Sequence, residues 1–162
     1  MPMQRSSLET IQDFLAQKRI AMIGISRSPA SFSGSVFKEL CSRGYDVVPV
    51  NPHTQEVLGY KCFARVQDIN PPVTAALLMT SPEATDMVVR DCAAAGISRV
   101  WMHRAGGAGA VSEKAVQFCE QHNIRVVPGE CPLMFLPQGS SVHHLHGFFR
   151  KITGRYPKHA HA

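Results

Sequence analysis

The sequence predicts an α/β fold in which a doubly wound, mainly parallel sheet of five strands carries helices on both faces. Short apolar runs alternate with segments of helical period, which is the pattern of β-α-β units. The apolar runs are continuous, as in strands buried on both faces of a sheet. The 162 residues show no internal repeat, and their length suits one domain.

The first predicted helix begins at Ser6, which forms a capping box with Glu9, and runs to about Lys18. Residues 20–23 form the first strand, which Gly24 ends. The amino-terminal part of the chain therefore predicts a helix followed by a buried strand.

Ser33 is predicted to open the next helix, which runs to about Ser42 before Gly44 stops it. The second strand follows at 46–50 and ends at Asn51-Pro52. This stretch completes the first β-α-β unit.

The second half of the chain repeats the alternation. Pro82 suits the first turn of a helix, and Ser112 suits a helix cap. The predicted elements are a short helix at 65–69, strands at 74–79, 100–102 and 125–127, helices at 82–95 and 112–122, and an extended or irregular exit at 131–137.

The net charge of +5 is concentrated at the carboxyl end. No acidic residue follows Glu130, whereas Arg150, Lys151, Arg155 and Lys158 do. Residues 1–138 are therefore predicted to form the folded domain, and 139–162 a basic, His-rich tail with a helix at 142–152 and a loose end. A body with nearly balanced charge does not indicate a nucleic-acid-binding domain.

The localisation predicted from the sequence is cytoplasmic, without membrane association. No apolar run approaches the roughly 20 residues that span a bilayer, and the amino terminus lacks a signal-peptide core. The five cysteines are odd in number and show no C-x-x-C spacing, which favours reduced thiols.

The strand ends carry the residues that suggest a ligand. Ligands of open parallel sheets bind beyond the carboxyl ends of the strands. Small, polar or cationic residues stand at four of these ends, and no carboxylate is among them. The four ends are 24–29, 51–53, 80–82 and 103–107. Glycine, serine and the amino terminus of a helix suit a phosphate group. The alternative is that these residues only make tight turns.

An ordinary nicotinamide or flavin dinucleotide is disfavoured. Ser26 stands where the G-x-G-x-x-G fingerprint has its second glycine. Asn51-Pro52 stands where an acidic residue would hold the ribose 2′-hydroxyl. An NAD(P)-binding enzyme is therefore a weaker alternative.

The ordered set of motifs resembles the small, stand-alone CoA-binding domain proteins, which are related to the nucleotide-binding domain of the succinyl-CoA synthetase alpha subunit. The resemblance covers roughly residues 19–135. It is carried by Ile23-Gly24-Ile25-Ser26 with Pro29 and Ser33, the run 44–52, Gly59 with Asp68-Ile69, the run 80–84, Gly96-Ile97 with Val100-Trp101, and the run 124–127 with Cys131-Pro132.

The resemblance implies a Rossmann-like fold that holds CoA or an acyl-CoA across the strand ends. The implied phosphate loop contains Gly24, Ile25, Ser26, Arg27 and Ser28, with Ser33 at the helix start. Asn51 and Pro52 would border the adenosine end. Thr80, Ser81 and Pro82 would form the floor, and 104–106, including Arg104 and Gly106, the opposite wall.

Three cations are candidate partners of the CoA phosphates: Arg27, Lys61 and Arg104. Each could instead be solvated surface. Two departures from the family pattern leave the ligand open: His103-Arg104-Ala105 replaces a common Gln followed by a small residue, and Arg65 replaces a common Ser.

The sequence contains no complete set of catalytic residues. CoA ligation would need a phosphohistidine loop and a nucleotide-grasp domain, for which 162 residues leave no room. Cys131 is a candidate nucleophile or a buried thiol. His143 and His146 are spaced to share a metal ion, or belong to a solvated tail.

Two functions of different classes follow. The first is non-catalytic binding of CoA or an acyl-CoA by a carrier or sensor, as a monomer or homodimer. The second is a regulatory module whose docking to a partner enzyme is controlled by a bound nucleotide, with the tail as docking element. Nonspecific binding of nucleic acid by the tail is weaker, because no recognised motif is present.

Overall fold

The computed structural model describes residues 6–137 and confirms the α/β class. Apart from two 3-10 helices, at Val66–Asp68 and Pro132–Phe135, all elements are α-helices and β-strands. The helices are α1 (Leu8–Leu15), α2 (Phe32–Ser42), α3 (Pro82–Ala94) and α4 (Glu113–Gln121). The strands are β1 (Arg19–Ile23), β2 (Asp46–Val50), β3 (Glu56–Val57), β4 (Tyr60–Lys61), β5 (Ala75–Leu78), β6 (Arg99–Met102) and β7 (Arg125–Pro128).

Five strands form one parallel sheet in the order β2-β1-β5-β6-β7. From β1 the chain first adds β2 on one side and later adds β5 on the other. The direction of winding therefore reverses between β1 and β5. In open α/β sheets this switch point leaves a crevice at the carboxyl edge.

Each face of the sheet has its own apolar core. Met22 and Leu77 belong to the cluster that packs against α1 and α2. Their neighbours Ala21 and Leu78 belong to the cluster that packs against α3 and α4. Because successive side chains of a strand point to opposite faces, these continuous apolar runs fill both cores.

Two predicted helix starts are wrong by one or two residues. The cap of α1 is Ser7, whose side chain accepts a hydrogen bond from the Thr10 amide, and not Ser6. The cap of α2 is Ser31, whose hydroxyl accepts from the Gly34 amide, so Ser33 lies inside the helix. In each place several serines compete, and the serine that meets a free amide of the first turn becomes the cap.

An antiparallel hairpin of β3 and β4, which sequence periodicity did not predict, follows β2. Its strands are two residues long, too short to show a period. Leu58 and Gly59 form its turn with φ of 52° and 82°, as a type I′ turn requires. Beyond the hairpin, Phe63 pairs with Val50 in a parallel bridge at the edge of the sheet.

The exit after β7 was predicted as extended or irregular over 131–137. It contains one short regular turn, a 3-10 helix at Pro132–Phe135. The Phe135 ring lies 6.1 Å from the ring of Trp101, so the turn is held by packing. All five cysteines are free thiols.

Some predictions lie outside the described residues. These are the helix at 142–152, the loose end at 153–162, the His143/His146 metal pair and the boundary of the tail at 139. Within residues 6–137, no helix combines the length and apolar character needed to cross a bilayer. The same residues contain no group of three or more His, Cys, Asp and Glu placed to hold a metal.

Candidate functional site

A cleft of about 580 Å³ lies at the carboxyl edge of the sheet, at the switch point. The loops after β1, β5 and β6 and the first turn of α2 line it. Six residues of the predicted site contribute to its walls: Gly24, Ser26, Ser33, Thr80, Ser81 and Gly106. Residues far apart in the chain therefore meet as parallel strand topology predicts.

Six other lining residues were outside the predicted set or stood between its members. They are Ser31, Phe32, Met79, His103, Ala105 and Gly109. Ser31 and Phe32 enter the cleft because α2 begins two residues earlier than predicted. His103 directly follows β6 and stood in the predicted strand-end run 103–107, whereas Met79 was predicted as the last residue of its strand and lies just past the end of β5.

Position 24 requires glycine because the loop after β1 passes close to the residues that follow β5. Its φ is +85°, a conformation that glycine adopts without strain. A Cβ at this position would lie 2.8 Å from Thr80 Cγ2 and 3.1 Å from the Met79 carbonyl carbon. The absence of a side chain brings the loop after β1 against the end of β5, where the floor of the cleft forms.

A group of serine hydroxyls shapes the loop between β1 and α2. The Ser33 hydroxyl is buried and accepts a hydrogen bond of 2.9 Å from the Ser26 amide. The Ser26 hydroxyl accepts one of 3.1 Å from the Ser28 amide. Ser31 Oγ lies 3.3 Å from Ser33 Oγ. Since each hydroxyl that accepts also has a proton to donate, the loop offers donors beside the positive amino terminus of α2.

Asn51 connects the end of β2 to the same loop and does not line the cleft. Its Nδ2 donates to the Ile25 carbonyl at 2.8 Å. Its Oδ1 accepts from the His53 amide at 2.8 Å. The side chain amide is therefore engaged at both ends, and its observed role is to hold the loop in place.

Thr80 and Thr85 tie the floor of the cleft to α3. Their hydroxyl oxygens are 2.6 Å apart. Thr85 is completely buried and also donates to the Ser81 carbonyl at 2.9 Å. Ser81 caps α3 by accepting from the Ala84 amide. The floor is therefore rigidly attached to a helix whose Pro82 occupies the first position, as predicted.

The opposite wall is the loop between β6 and α4. Gly109 has a φ of +57°, and a Cβ there would lie 2.4 Å from the His103 carbonyl oxygen. The Ala110 amide donates to that oxygen at 2.8 Å, and so closes the loop. His103 itself is buried, and its ring meets the half-exposed Phe32 edge to face at 5.4 Å.

Seven predicted residues are not part of the walls. Ile25 is fully buried in the core, so its side chain cannot contact a ligand. Asn51 is half-buried and engaged as described, and Pro82 is half-buried at the start of α3. The remaining four are exposed beside the cleft or at the end of β2: Arg27, Ser28, Pro52 and Arg104.

The three candidate cations stand outside the lining. Lys61 lies on the hairpin, with its Nζ 4.8 Å from the centre of the Phe63 ring. The Arg104 amide donates to the Glu130 carbonyl at 2.9 Å, and its side chain is exposed. Among the described lining residues none is Asp, Glu, Lys or Arg. The cleft is thus built from hydroxyls, backbone groups, apolar groups and the ring of His103.

Cys131 is a buried thiol and not an exposed nucleophile. Its side chain is 1% exposed. Burial raises the pKa of the thiol to about 11, so the thiolate is scarce near neutral pH. The local structure therefore favours the packing role of this cysteine.

Comparison with known families agrees with the motifs in the sequence. A family model described as a CoA binding domain matches residues 18–137. This match spans the whole parallel sheet and every lining residue of the cleft. The resemblance inferred from the strand-end motifs is thereby confirmed.

Curated relatives are of two kinds. An uncharacterised protein of Bacillus subtilis, YneT, is 28% identical over 130 residues, which are 80% of this chain and 93% of the relative. The alpha subunit of ADP-forming acetate–CoA ligase II of Pyrococcus furiosus is 28% identical over 125 residues, or 73% of this chain. This chain spans only 27% of that subunit's length.

Solved structures show the same two kinds of relative. A hypothetical protein from Pyrococcus horikoshii OT3 superposes with a TM-score of 0.71 at 29% identity, over 80% of this chain and 93% of that one. The dinucleotide-forming acetyl-coenzyme A synthetase 1 of Candidatus Korarchaeum cryptofilum superposes with a TM-score of 0.58 at 26% identity. That match covers 67% of this chain and 25% of the synthetase.

Proposed function

Because the chain belongs to the family of CoA-binding domain proteins, we propose that it binds CoA or an acyl-CoA in the switch-point cleft, as a non-catalytic carrier or sensor. The observation that carries this proposal is the composition of the cleft. Its polar part consists of serine and threonine hydroxyls and the ring of His103, several of the serines stand at the amino terminus of α2, and no described lining residue is a carboxylate. Such a surface suits an anion whose charge is spread over a diphosphate.

The β1–α2 loop suits the diphosphate in particular. Ser26 and Ser33 are linked by a hydrogen bond, so the two hydroxyls stand beside each other at the first turn of α2. The glycine at position 24 keeps the loop free of a side chain near the strand end. Oriented amides and hydroxyls in a fixed loop bind phosphate oxygens without needing a cation in the cleft.

The end of β2 favours CoA over NAD. CoA carries a phosphate on its ribose, whereas NAD has free ribose hydroxyls that an acidic residue at this strand end commonly holds. Asn51 is neutral and engaged with backbone groups on both sides. The ribose phosphate of CoA would therefore meet no carboxylate there, and exposed Arg27 lies in the neighbouring loop.

A non-catalytic role is supported by the state of Cys131, the candidate nucleophile of the sequence. The Cys131 thiol is buried with a raised pKa. The ligase subunit that this chain matches is almost four times as long as the matched part. We therefore propose that the domain holds the CoA-type ligand and that any reaction of it takes place elsewhere.

Calorimetric titration of the purified protein with CoA, ADP, NAD and NADP tests the proposal. We expect CoA to bind more tightly than ADP, and NAD not to bind at millimolar concentration. Binding of NAD together with no detectable binding of CoA would contradict the proposal. Mass spectrometry of the small molecules that copurify with the native protein provides an independent check.

We also propose a cytoplasmic location, which rests on the thiols. All five cysteines are free thiols, and four of them are buried. Proteins of oxidising compartments usually pair their cysteines. Localisation of a tagged protein by cell fractionation would test this.

A further inference from the structure

We propose that the basic tail at 139–162 binds the phosphates of the ligand that occupies the cleft, and so adds positive charge that the walls of the cleft do not provide. This inference rests on the proposed function, because the ligand is the same CoA or acyl-CoA. Its basis is the distribution of charge in the chain and the point at which the described chain leaves the fold.

The rest of the chain carries hardly any excess of positive charge. Four of the 17 Lys and Arg residues lie in the tail, so the other 13 share residues 1–138 with all 12 Asp and Glu residues. Five arginines of this part already contact carboxylates, in ion pairs of 2.7–3.2 Å. They are Arg19, Arg43, Arg65, Arg99 and Arg125. Their charge is therefore largely compensated within the fold.

The cleft presents hydroxyls and amides to a phosphate but little positive charge. None of its described lining residues is Lys or Arg. The loops after β1 and β6 each add one exposed cation, Arg27 and Arg104. CoA carries about four negative charges near neutral pH, two on its diphosphate and nearly two on its ribose phosphate. The two arginines therefore balance about half of the charge of the ligand.

The described chain leaves the fold beside the wall of the cleft that follows β6. The Glu130 carbonyl accepts hydrogen bonds from the Arg104 amide at 2.9 Å and from the Trp101 indole at 3.1 Å. Arg104 stands between two lining residues of the cleft. Because Pro137 follows Glu130 by seven positions, it lies at most about 25 Å from this wall.

The tail is long enough to bring its cations to the cleft. Even if 138–158 were one continuous helix, it would be about 31 Å long, which exceeds the distance from Pro137 to the wall. Arginine binds phosphate oxygens through paired N–H groups, and lysine binds them as a point charge. No acidic residue competes within the tail, whose four cations are Arg150, Lys151, Arg155 and Lys158.

Covalent attachment favours the ligand of the cleft over another polyanion as the partner of the tail. A tethered group meets a neighbouring site at an effective concentration in the millimolar range, whereas an acidic protein or a nucleic acid has to arrive from solution. Attraction between exposed charges decays over about 10 Å at ordinary ionic strength. The contribution of the tail should therefore depend on salt and increase with the charge of the ligand.

Calorimetric titration of the full chain with CoA and with dephospho-CoA, which lacks the ribose phosphate, tests this inference. Each exposed ion pair contributes roughly a factor of two to affinity at low ionic strength. We therefore expect the variant Arg150→Gln/Lys151→Gln/Arg155→Gln/Lys158→Gln to bind CoA about tenfold more weakly than the wild type. The loss should be smaller for dephospho-CoA, and for CoA it should shrink to about twofold in molar salt.

Two double variants provide a control of equal charge. Arg150→Gln/Lys151→Gln removes two cations of the tail and should weaken CoA binding by about threefold at low ionic strength. Lys18→Gln/Arg90→Gln removes two exposed cations elsewhere, before β1 and in the second half of α3, and should leave the affinity unchanged. Equal losses in the two double variants would overturn the inference, because net charge alone would then account for them.

Lysine acylation followed by mass spectrometry provides a readout other than affinity. We expect saturating CoA to slow the modification of Lys151 and Lys158 and to leave that of the exposed Lys18 unchanged. Unchanged rates at both tail lysines, or wild-type affinity of the quadruple variant, would overturn the inference and leave the proposed function intact. The tail would then serve a protein or nucleic-acid partner. If the wild type binds no CoA compound, the proposed function fails, and this inference fails with it.

Discussion

The Ser26 amide donates a 2.9 Å hydrogen bond to the buried hydroxyl of Ser33, and this bond joins the loop after β1 to the first turn of α2. The bond makes Ser33 a positioning residue as well as a cleft residue. The shape of the loop depends on it, because a partly buried amide that loses its partner is unfavourable.

Ser33→Ala should weaken CoA binding. The substitution removes the acceptor of the Ser26 amide, and a net hydrogen bond of about 1 kcal/mol corresponds to roughly a fivefold rise in Kd. Titration calorimetry measures the effect. Ser35→Ala is the control, since Ser35 lies on the exposed side of the same helix turn. Equal affinities of the two variants would remove Ser33 from the site.

Gly24→Ala should destabilise the fold and abolish CoA binding. A methyl group would meet Thr80 Cγ2 at 2.8 Å in addition to the strain of a φ of +85°. Gly44→Ala is a matched control, because Gly44 has a φ of +87° and nothing within 4 Å of the added methyl group. The φ strain alone costs about 1–2 kcal/mol, so urea unfolding should show this loss for Gly44→Ala and a larger loss for Gly24→Ala. Equal losses of unfolding free energy in the two variants would contradict the close approach of Gly24 to Thr80.

Arg104→Glu should lower the affinity for CoA by about threefold or more at low ionic strength, and by less in high salt. Arg104 is exposed between His103 and Ala105 at the edge of the cleft, so a carboxylate there repels the phosphates of the ligand. Lys18→Glu makes the same change of charge before β1, at the opposite edge of the sheet. If Arg104→Glu bound CoA as tightly as Lys18→Glu does, and its affinity did not depend on salt, Arg104 would lie outside the site.

Asp13→Asn should lower the free energy of unfolding by about 1 kcal/mol at neutral pH without affecting CoA binding. Asp13 on α1 contacts Arg99 at 2.7 Å and Arg125 at 3.2 Å. The hydrogen bond from Arg99 is the main reason why the pKa of this carboxyl lies below its ordinary value of 3.8.

The sign of the pH dependence follows from that lowered pKa. The folded protein binds the proton of Asp13 less readily than the unfolded chain, so the ion pairs stabilise the fold above about pH 4. Their contribution is lost as the pH falls through the folded pKa. The unfolding curves of wild type and Asp13→Asn should therefore converge in acid, and a difference that persists there would contradict this assignment.

Much of the fold follows from local patterns that the sequence displays directly. Every strand of the five-stranded sheet was predicted because continuous apolar runs reveal burial on both faces. Gly24, Thr80 and Gly106 were assigned to the cleft because residues just past parallel strands meet at one edge. The hairpin of β3 and β4 was not predicted, because two-residue strands have no period.

The sequence by itself determined the class of fold, the family and the loops that form the cleft, since all three depend on short-range patterns. Only the tertiary structure decided that Ser31 rather than Ser33 caps α2, because the Ser33 hydroxyl is taken by the amide of Ser26, seven residues away. It also brought Phe32 against His103, which lies 71 positions further along the chain. The contact between Phe32 and His103 depends on strand order, and strand order arises from the packing of the whole sheet rather than from any local run of residues.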